Sequence, residues 1–307
     1  MTITFRPAKR ENVPLLLGLA GGTGSGKTLS AMKLAKGLAG DARFAVIDTE
    51  SGRAKHYADD FAFDHADLTA PFRPNAYADA IKAADDAGYP VVVVDSMSHE
   101  HAGEGGLLDM HEEEFQRLGG RDAVKMTAWI APKMEHKRFV SRLLQLRSHV
   151  ILCFRAEEKT EIVKEGGKTV VRAKQSLTGL DGLLPITEKN LPYELTMSSL
   201  LTVDAPGVPR PIKLPEQLRP FVPLDKPIVE ETGRQLALWA AGSADVSPDE
   251  VRALTDELLE LADKLGIREA TVARIDTNRG DHDQAAHARW LRAQVARARQ
   301  ASEKAAA

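Results

Sequence analysis

The chain has 307 residues, 43% of them hydrophobic, a formal net charge of −3 and a single cysteine, Cys153. Such a length allows one large core beside a small second domain. The near balance of charge argues against a surface coated for nucleic acid but leaves room for a local basic groove, and one cysteine excludes an internal disulfide. No stretch approaches the length of a transmembrane helix, and residues 1–11 lack the apolar core of a signal peptide. The expectation is a cytoplasmic protein without membrane contact, its one thiol buried in the apolar run 150–154.

The first predicted strand, residues 15–20, runs into Gly21-Gly22-Thr23-Gly24-Ser25-Gly26-Lys27-Thr28, and an amphipathic helix follows over 29–38. Strand before and helix after are the context in which this spacing holds phosphate. The four glycines admit left-handed turns that point successive N–H groups inward. Lys27 adds a charge for the β- and γ-phosphates, Thr28 offers a hydroxyl to Mg²⁺, and the helix directs its positive end at the same anion.

Three more short apolar runs, 44–48, 91–95 and 150–154, read as buried parallel strands, with helices at 30–38, 77–87, 107–118 and 136–146 between them. The alternation predicts an α/β sheet covered on both faces. Segments 160–163 and 169–172 flank Lys164-Glu165-Gly166-Gly167-Lys168 and read as a β-hairpin, and another strand is expected at 193–203. Six prolines between 205 and 226 predict an extended stretch that is not helical. A helix at 229–240 closes the first domain, 1–242, and Gly242-Ser243-Ala244 reads as a hinge. The rest, 243–307, is expected as a helical module. It starts at the capping box Ser247-Pro248-Asp249-Glu250, its first helix stops at Gly266, and its second runs over 281–307.

The run Val91-Val92-Val93-Val94-Asp95 carries a carboxylate to the edge of the sheet where ligands bind, the form of a Walker B strand, and Asp95 would hold Mg²⁺ through water. The second strand ends in Asp48-Thr49-Glu50, and Glu100 follows the third in Ser98-His99-Glu100-His101. Either Glu50 or Glu100 can serve as the base that activates water, and local spacing does not choose between them. His99, His101 and His111 lack the paired spacing of a zinc site. Lys133, Lys137, Arg138, Arg172 and Lys174 are candidates to reach a neighbouring protomer's γ-phosphate, against a reading as solvated surface charges. The arginines of the last helix read mainly as a solvated face.

The loop at 21–28, the acidic end of the second strand and Asp95-Ser96 together resemble a RecA-like P-loop ATPase core. Ile47-Asp48-Thr49-Glu50, Val94 to Glu100, Cys153-Phe154-Arg155-Ala156 and Leu191-Pro192-Tyr193-Glu194, in that order, are similar to bacteriophage AAA-type ATP-binding proteins across residues 5–242. The resemblance implies a mainly parallel sheet, ATP and Mg²⁺ as ligands, and Glu50 as the catalytic carboxylate in preference to Glu100. It also places Arg155 where the pattern puts a polar γ-phosphate sensor, often glutamine, so this chain departs from the family there. It implies a homo-oligomer working with single-stranded DNA or a recombination or replication protein, in a host cytoplasm if the gene is phage-borne. In the same pattern DNA-binding loops follow the third and fourth strands, here 100–125 and 156–174. The first is acidic and the second mixes signs, a poor match to phosphate. A nucleotide-dependent switch that docks a protein partner through the helical module is therefore the alternative, and a small-molecule kinase lacks an arginine-rich lid.

Overall fold

A computed structural model of the chain describes residues 5, 13–165, 168–174, 182–242, 248–281 and 284–306. The chain divides into two compact units, Val13–Ala240 and a second that begins at Ala241. The expected hinge at 242–244, the capping box at 247–250, the hairpin turn at 164–168 and the N-terminal stretch 1–11 lie wholly or partly outside the described residues.

In the larger unit the strands are β1 (Leu16–Gly21), β2 (Phe44–Asp48), β3 (Phe63–Asp67), β4 (Val91–Asp95), β5 (His149–Glu158), β6 (Thr160–Glu165), β7 (Lys168–Ala173), β8 (Leu183–Pro185), β9 (Met197–Leu201) and β10 (Arg210–Lys213). The helices are α1 (Lys27–Ala39), α2 (Pro74–Asp86), α3 (Ser98–Ala102), α4 (Leu107–Arg117), α5 (Ile130–Leu143), α6 (Leu191–Glu194) and α7 (Glu230–Ala241). The central sheet runs β10-β9-β1-β5-β4-β2-β3 and is parallel except for β10; β8 pairs antiparallel with the far end of β5. This is a RecA-like P-loop fold. The strand β5 lies between the loop-bearing β1 and the aspartate-bearing β4, so the ends of all three open on one edge.

The strands read as unbroken apolar runs because each of their faces is covered, and alternation then sorts their residues between two cores. Leu17, Leu19, Val91, Val93, Ile151 and Cys153 join Met32 and Leu34 of α1 and Leu236 of α7 on one side. Leu16, Val92, Val94, Val150, Leu152 and Phe154 join Tyr77 and Ile81 of α2 and Phe139 and Leu143 of α5 on the other. Each fully buried Val or Leu contributes about 1.5–3 kcal/mol, so these two layers supply most of the driving force.

The structure departs from the sequence reading at three places. The edge strand β3 had no sequence signal, because of Phe63, Asp64, His65, Ala66 and Asp67 only the first is buried. The strand expected at 193–203 begins at Met197, since Pro192 and Tyr193 lie in the short helix α6. The proline-rich stretch contains β10 and a 3₁₀ turn, Glu216–Phe221, with Pro220 inside it. A turn that short tolerates the missing proline N–H because its bonds are formed from other residues, such as Leu218 N to Pro215 O at 3.0 Å. The hairpin strands expected at 160–163 and 169–172 are present as the antiparallel pair β6 and β7, and the helix expected at 107–118 is α4.

Among its described residues the second unit holds three helices, α8 (Pro248–Lys264), α9 (Arg268–Asp281) and α10 (Gln284–Ala306), around Leu258, Ile275, Leu291 and Val295. Two were expected. The middle helix α9 is too polar for its periodicity to show, and Ile275 is its one residue in that core.

Candidate functional site

The loop between β1 and α1 is built by close backbone packing. A side chain at Gly21 would collide with Ser25 Oγ and with the Leu201 carbonyl oxygen, and Gly26 sits at φ +82°, in the region that disfavours other residues. Ser25 closes the turn by donating from Oγ to the Gly22 carbonyl at 2.8 Å, and its side chain is fully buried. Lys27 is the first residue of α1, and its Nζ donates to the Gly22 carbonyl at 3.1 Å, which folds the ammonium back over the loop.

Beside the loop opens a cleft of about 710 Å³, within the range of small-molecule sites. It collects Lys27 and Thr28 from α1, Glu50 after β2, Asp95 at the end of β4 and Arg155 on β5. The Thr28 hydroxyl donates to Asp95 Oδ2 at 2.6 Å. Burial pushes the Asp95 carboxyl above its ordinary range, and the bond from Thr28 opposes this. Adjacent hydroxyl and carboxylate oxygens beside a phosphate-shaped loop are the hard donor set that suits Mg²⁺, and they fit that ion here.

Glu50 is held by two cations. Arg155 donates to its Oε1 from Nε at 2.9 Å and from a terminal nitrogen at 2.7 Å, and Arg53 donates to its Oε2 at 3.0 Å. Burial acts to raise the Glu50 carboxyl, but the two guanidinium groups outweigh it and leave the group below the usual range. The backbone under Glu50 is also tied: its N–H donates to Asp48 Oδ1 at 2.5 Å, and Asp48 Oδ2 accepts from Ala54 N–H at 2.9 Å.

A second layer fixes the strand ends relative to each other. Thr49 Oγ1 accepts from Ser96 N–H at 2.8 Å and lies 2.8 Å from His99 Nδ1, while Thr49 N–H donates to the Asp95 carbonyl at 2.9 Å. Ser98 Oγ accepts from Arg155 N–H at 2.8 Å and donates to the Ile186 carbonyl at 2.7 Å, joining β5 to the residue that follows β8. The Asp95–Ser96 peptide is cis.

Glu100 is not brought into the cleft. It is fully buried, and Oε1 bonds to His136 Nδ1 of α5 at 2.7 Å. Burial pushes its carboxyl up while His136 pulls it down; burial acts to lower His136, and Glu100 more than offsets that. The three histidines flagged in the sequence are dispersed in role: His99 meets Thr49, His101 is half-buried, and His111 stacks on Trp129 with ring centroids 4.3 Å apart. Lys133, Lys137 and Arg138 are exposed on α5, and Arg172 pairs with Glu161 at 2.9 Å.

The sequence reading missed Arg53, His56 and Tyr57, which line the same cleft from a 3₁₀ turn, Arg53–Tyr57. One signal was available for Arg53, its i,i+3 spacing from Glu50. His56 and Tyr57 had none, because a turn that short has no periodicity. No helix among the described residues is long and apolar enough to cross a membrane.

No curated protein matches the chain. The profile of the AAA domain matches residues 14–184, more than half of its length and the part that carries the loop, Glu50, Asp95 and Arg155. The chain therefore belongs to the AAA-domain family of P-loop nucleotide-binding ATPases.

Proposed function

We propose that the chain binds ATP with Mg²⁺ in this cleft and hydrolyses it, that the active form is a homo-oligomer, and that the reaction serves DNA recombination or replication. One observation carries the hydrolytic part: Lys27, Thr28, Glu50, Asp95 and Arg155, from four separate parts of the chain, converge on the same 710 Å³ cleft. We take residues 1–242 as the ATPase domain and 243–307 as an accessory helical module.

The loop amides and Lys27 would bind the β- and γ-phosphates, with fixed dipoles that need no reorganisation as charge shifts during transfer. Thr28 and Asp95 would hold Mg²⁺, whose charge offsets that of the phosphate oxygens. Glu50 would accept a proton from the attacking water, and Arg155 would contact the γ-phosphate. Lys27→Ala tests the site. It removes a charged contact of about 1.5–3 kcal/mol, so ATP affinity should fall roughly ten- to a hundredfold and turnover should vanish. Unchanged affinity and turnover would overturn the assignment.

A second reading is a slow switch that docks a protein partner without touching DNA. It is favoured by Glu50 itself, whose two oxygens are occupied by Arg155 and Arg53. Single-stranded DNA separates the two readings. A DNA-directed motor should hydrolyse faster in its presence and lose that stimulation at high salt, whereas the switch should ignore it.

A further inference from the structure

The helical module contains a groove that the ATPase reading does not use. It has a volume of about 250 Å³, with Leu258, Leu265 and Ile267 as apolar lining and Arg274 and Arg297 as the charged groups, and among the described residues no carboxylate lines it. A second depression, about 330 Å³, lies alongside and shares Arg274 and Trp290 with the first. Both volumes fall below the roughly 300–1,000 Å³ of a drug-sized site or at its lower limit, and so suit single side chains rather than a whole cofactor. Ile267 and Val272 remain 49% and 39% exposed on the same module.

The two arginines are open to a ligand. Arg274 lies over the Trp290 ring at 6.0 Å and donates to Gln294 Oε1 at 3.2 Å, which uses one of its five donors. Arg297 is exposed and makes no ion pair among the described residues. Two of the module's carboxylates are already engaged elsewhere, Glu257 with Arg299 at 2.7 Å and Asp263 with Arg268.

We propose that this groove docks a short acidic and apolar segment of a partner protein, with apolar side chains in the two depressions and a carboxylate on Arg274 and Arg297. Charge complementarity selects that occupant: guanidinium forks pair with carboxylates, and an apolar floor with a tryptophan and arginines has the composition of an interface hot spot. Nucleic acid fits less well. Arg274 already covers a face of the Trp290 indole on which a base would stack, and two cations are few for a phosphate backbone.

The test uses the full chain and fluorescence anisotropy. The probes are labelled octapeptides, each with two aspartates and two of leucine, phenylalanine or tryptophan at varied spacing, beside controls in which lysine replaces aspartate. At least one acidic probe should bind, its lysine control should not, and added salt should weaken the complex. Arg274→Glu with Arg297→Glu should reduce affinity at least about tenfold, as loss of a hot spot does. If that pair lowers the helical circular dichroism, Arg274→Gln with Arg297→Gln gives the same reading without charge reversal. The proposal fails if no acidic probe binds, or if affinity survives the arginine changes. It also fails if oligo-dT competes for the groove, or if the arginines instead govern self-association in sedimentation. None of these outcomes depends on whether Glu50 hydrolyses ATP.

Discussion

Arg155, on β5, grips Glu50, two residues past the end of β2, through two hydrogen bonds to one carboxylate oxygen, at 2.9 and 2.7 Å. The residues are 105 positions apart in sequence, and between their strands in the sheet lies β4 with Asp95. A contact that spans the sheet edge in this way couples the candidate base to the candidate phosphate sensor. Removing either partner therefore changes the other's environment as well as its own role.

Arg155→Ala should lower turnover by on the order of 10²-fold or more, while ATP affinity falls by much less, because the loop and Lys27 still hold the phosphates. Arg155→Lys should not restore the rate, since an ammonium cannot reproduce the forked contact that Nε and a terminal nitrogen make to Glu50. Steady-state kinetics beside equilibrium nucleotide binding measures the split. A rate restored by lysine would show that charge alone suffices.

Glu50→Gln should leave nucleotide binding within a few-fold and reduce hydrolysis by roughly 10²–10⁴, the usual contribution of a general base. Glu100→Gln should behave in the opposite way. Breaking a buried pair by neutralising one member costs up to about 3–5 kcal/mol, so that variant should unfold at lower urea while turnover per folded molecule persists. Loss of turnover in a fully folded Glu100→Gln protein would move the base to Glu100.

Asp95→Asn should weaken Mg²⁺-dependent nucleotide binding by about 10–100-fold and leave binding without the metal little changed. The substitution keeps the shape that accepts the Thr28 hydroxyl at 2.6 Å but removes the charge. Titrations with a fluorescent nucleotide, with and without Mg²⁺, provide the comparison. Equal weakening in both would assign Asp95 to folding of the loop instead.

Asp85 gives a stability prediction away from the site. Its Oδ1 accepts from the N–H of Arg147, from the N–H of Ser148 and from Ser148 Oγ, each at 2.9 Å, tying the end of α2 to the start of β5. Burial acts to raise this carboxyl, but the bonds from Ser148 and Arg147 outweigh it and hold it below the ordinary range. A depressed native value means that the stabilisation is complete above the unfolded value of about pH 4 and is lost as the pH falls through the native one. Asp85→Ala should cost about 1–3 kcal/mol in urea unfolding at neutral pH. The gap from the parent protein should close in acid, and a gap constant with pH would count against the assignment.

How much of this was legible without coordinates follows from the range of each interaction. The loop at 21–28, the four main strands and the position of Asp95 at a strand end were readable because each rests on local spacing: glycines at turns, apolar runs and a carboxylate closing a strand. Weakly apolar elements were not. The edge strand β3 buries only Phe63, and α9 adds one residue to its core, so neither left a periodic trace.

By itself the sequence determined that a triphosphate-binding loop sits between a strand and a helix in an α/β chain, because that chemistry lies within eight consecutive residues. Placing Glu50 at the cleft and burying Glu100 against His136 was the work of the tertiary structure. Bringing Arg53, His56 and Tyr57 beside the loop was also a matter of tertiary structure. Those facts depend on which strands become neighbours, and strand order is set by packing across two cores rather than by the order of residues along the chain.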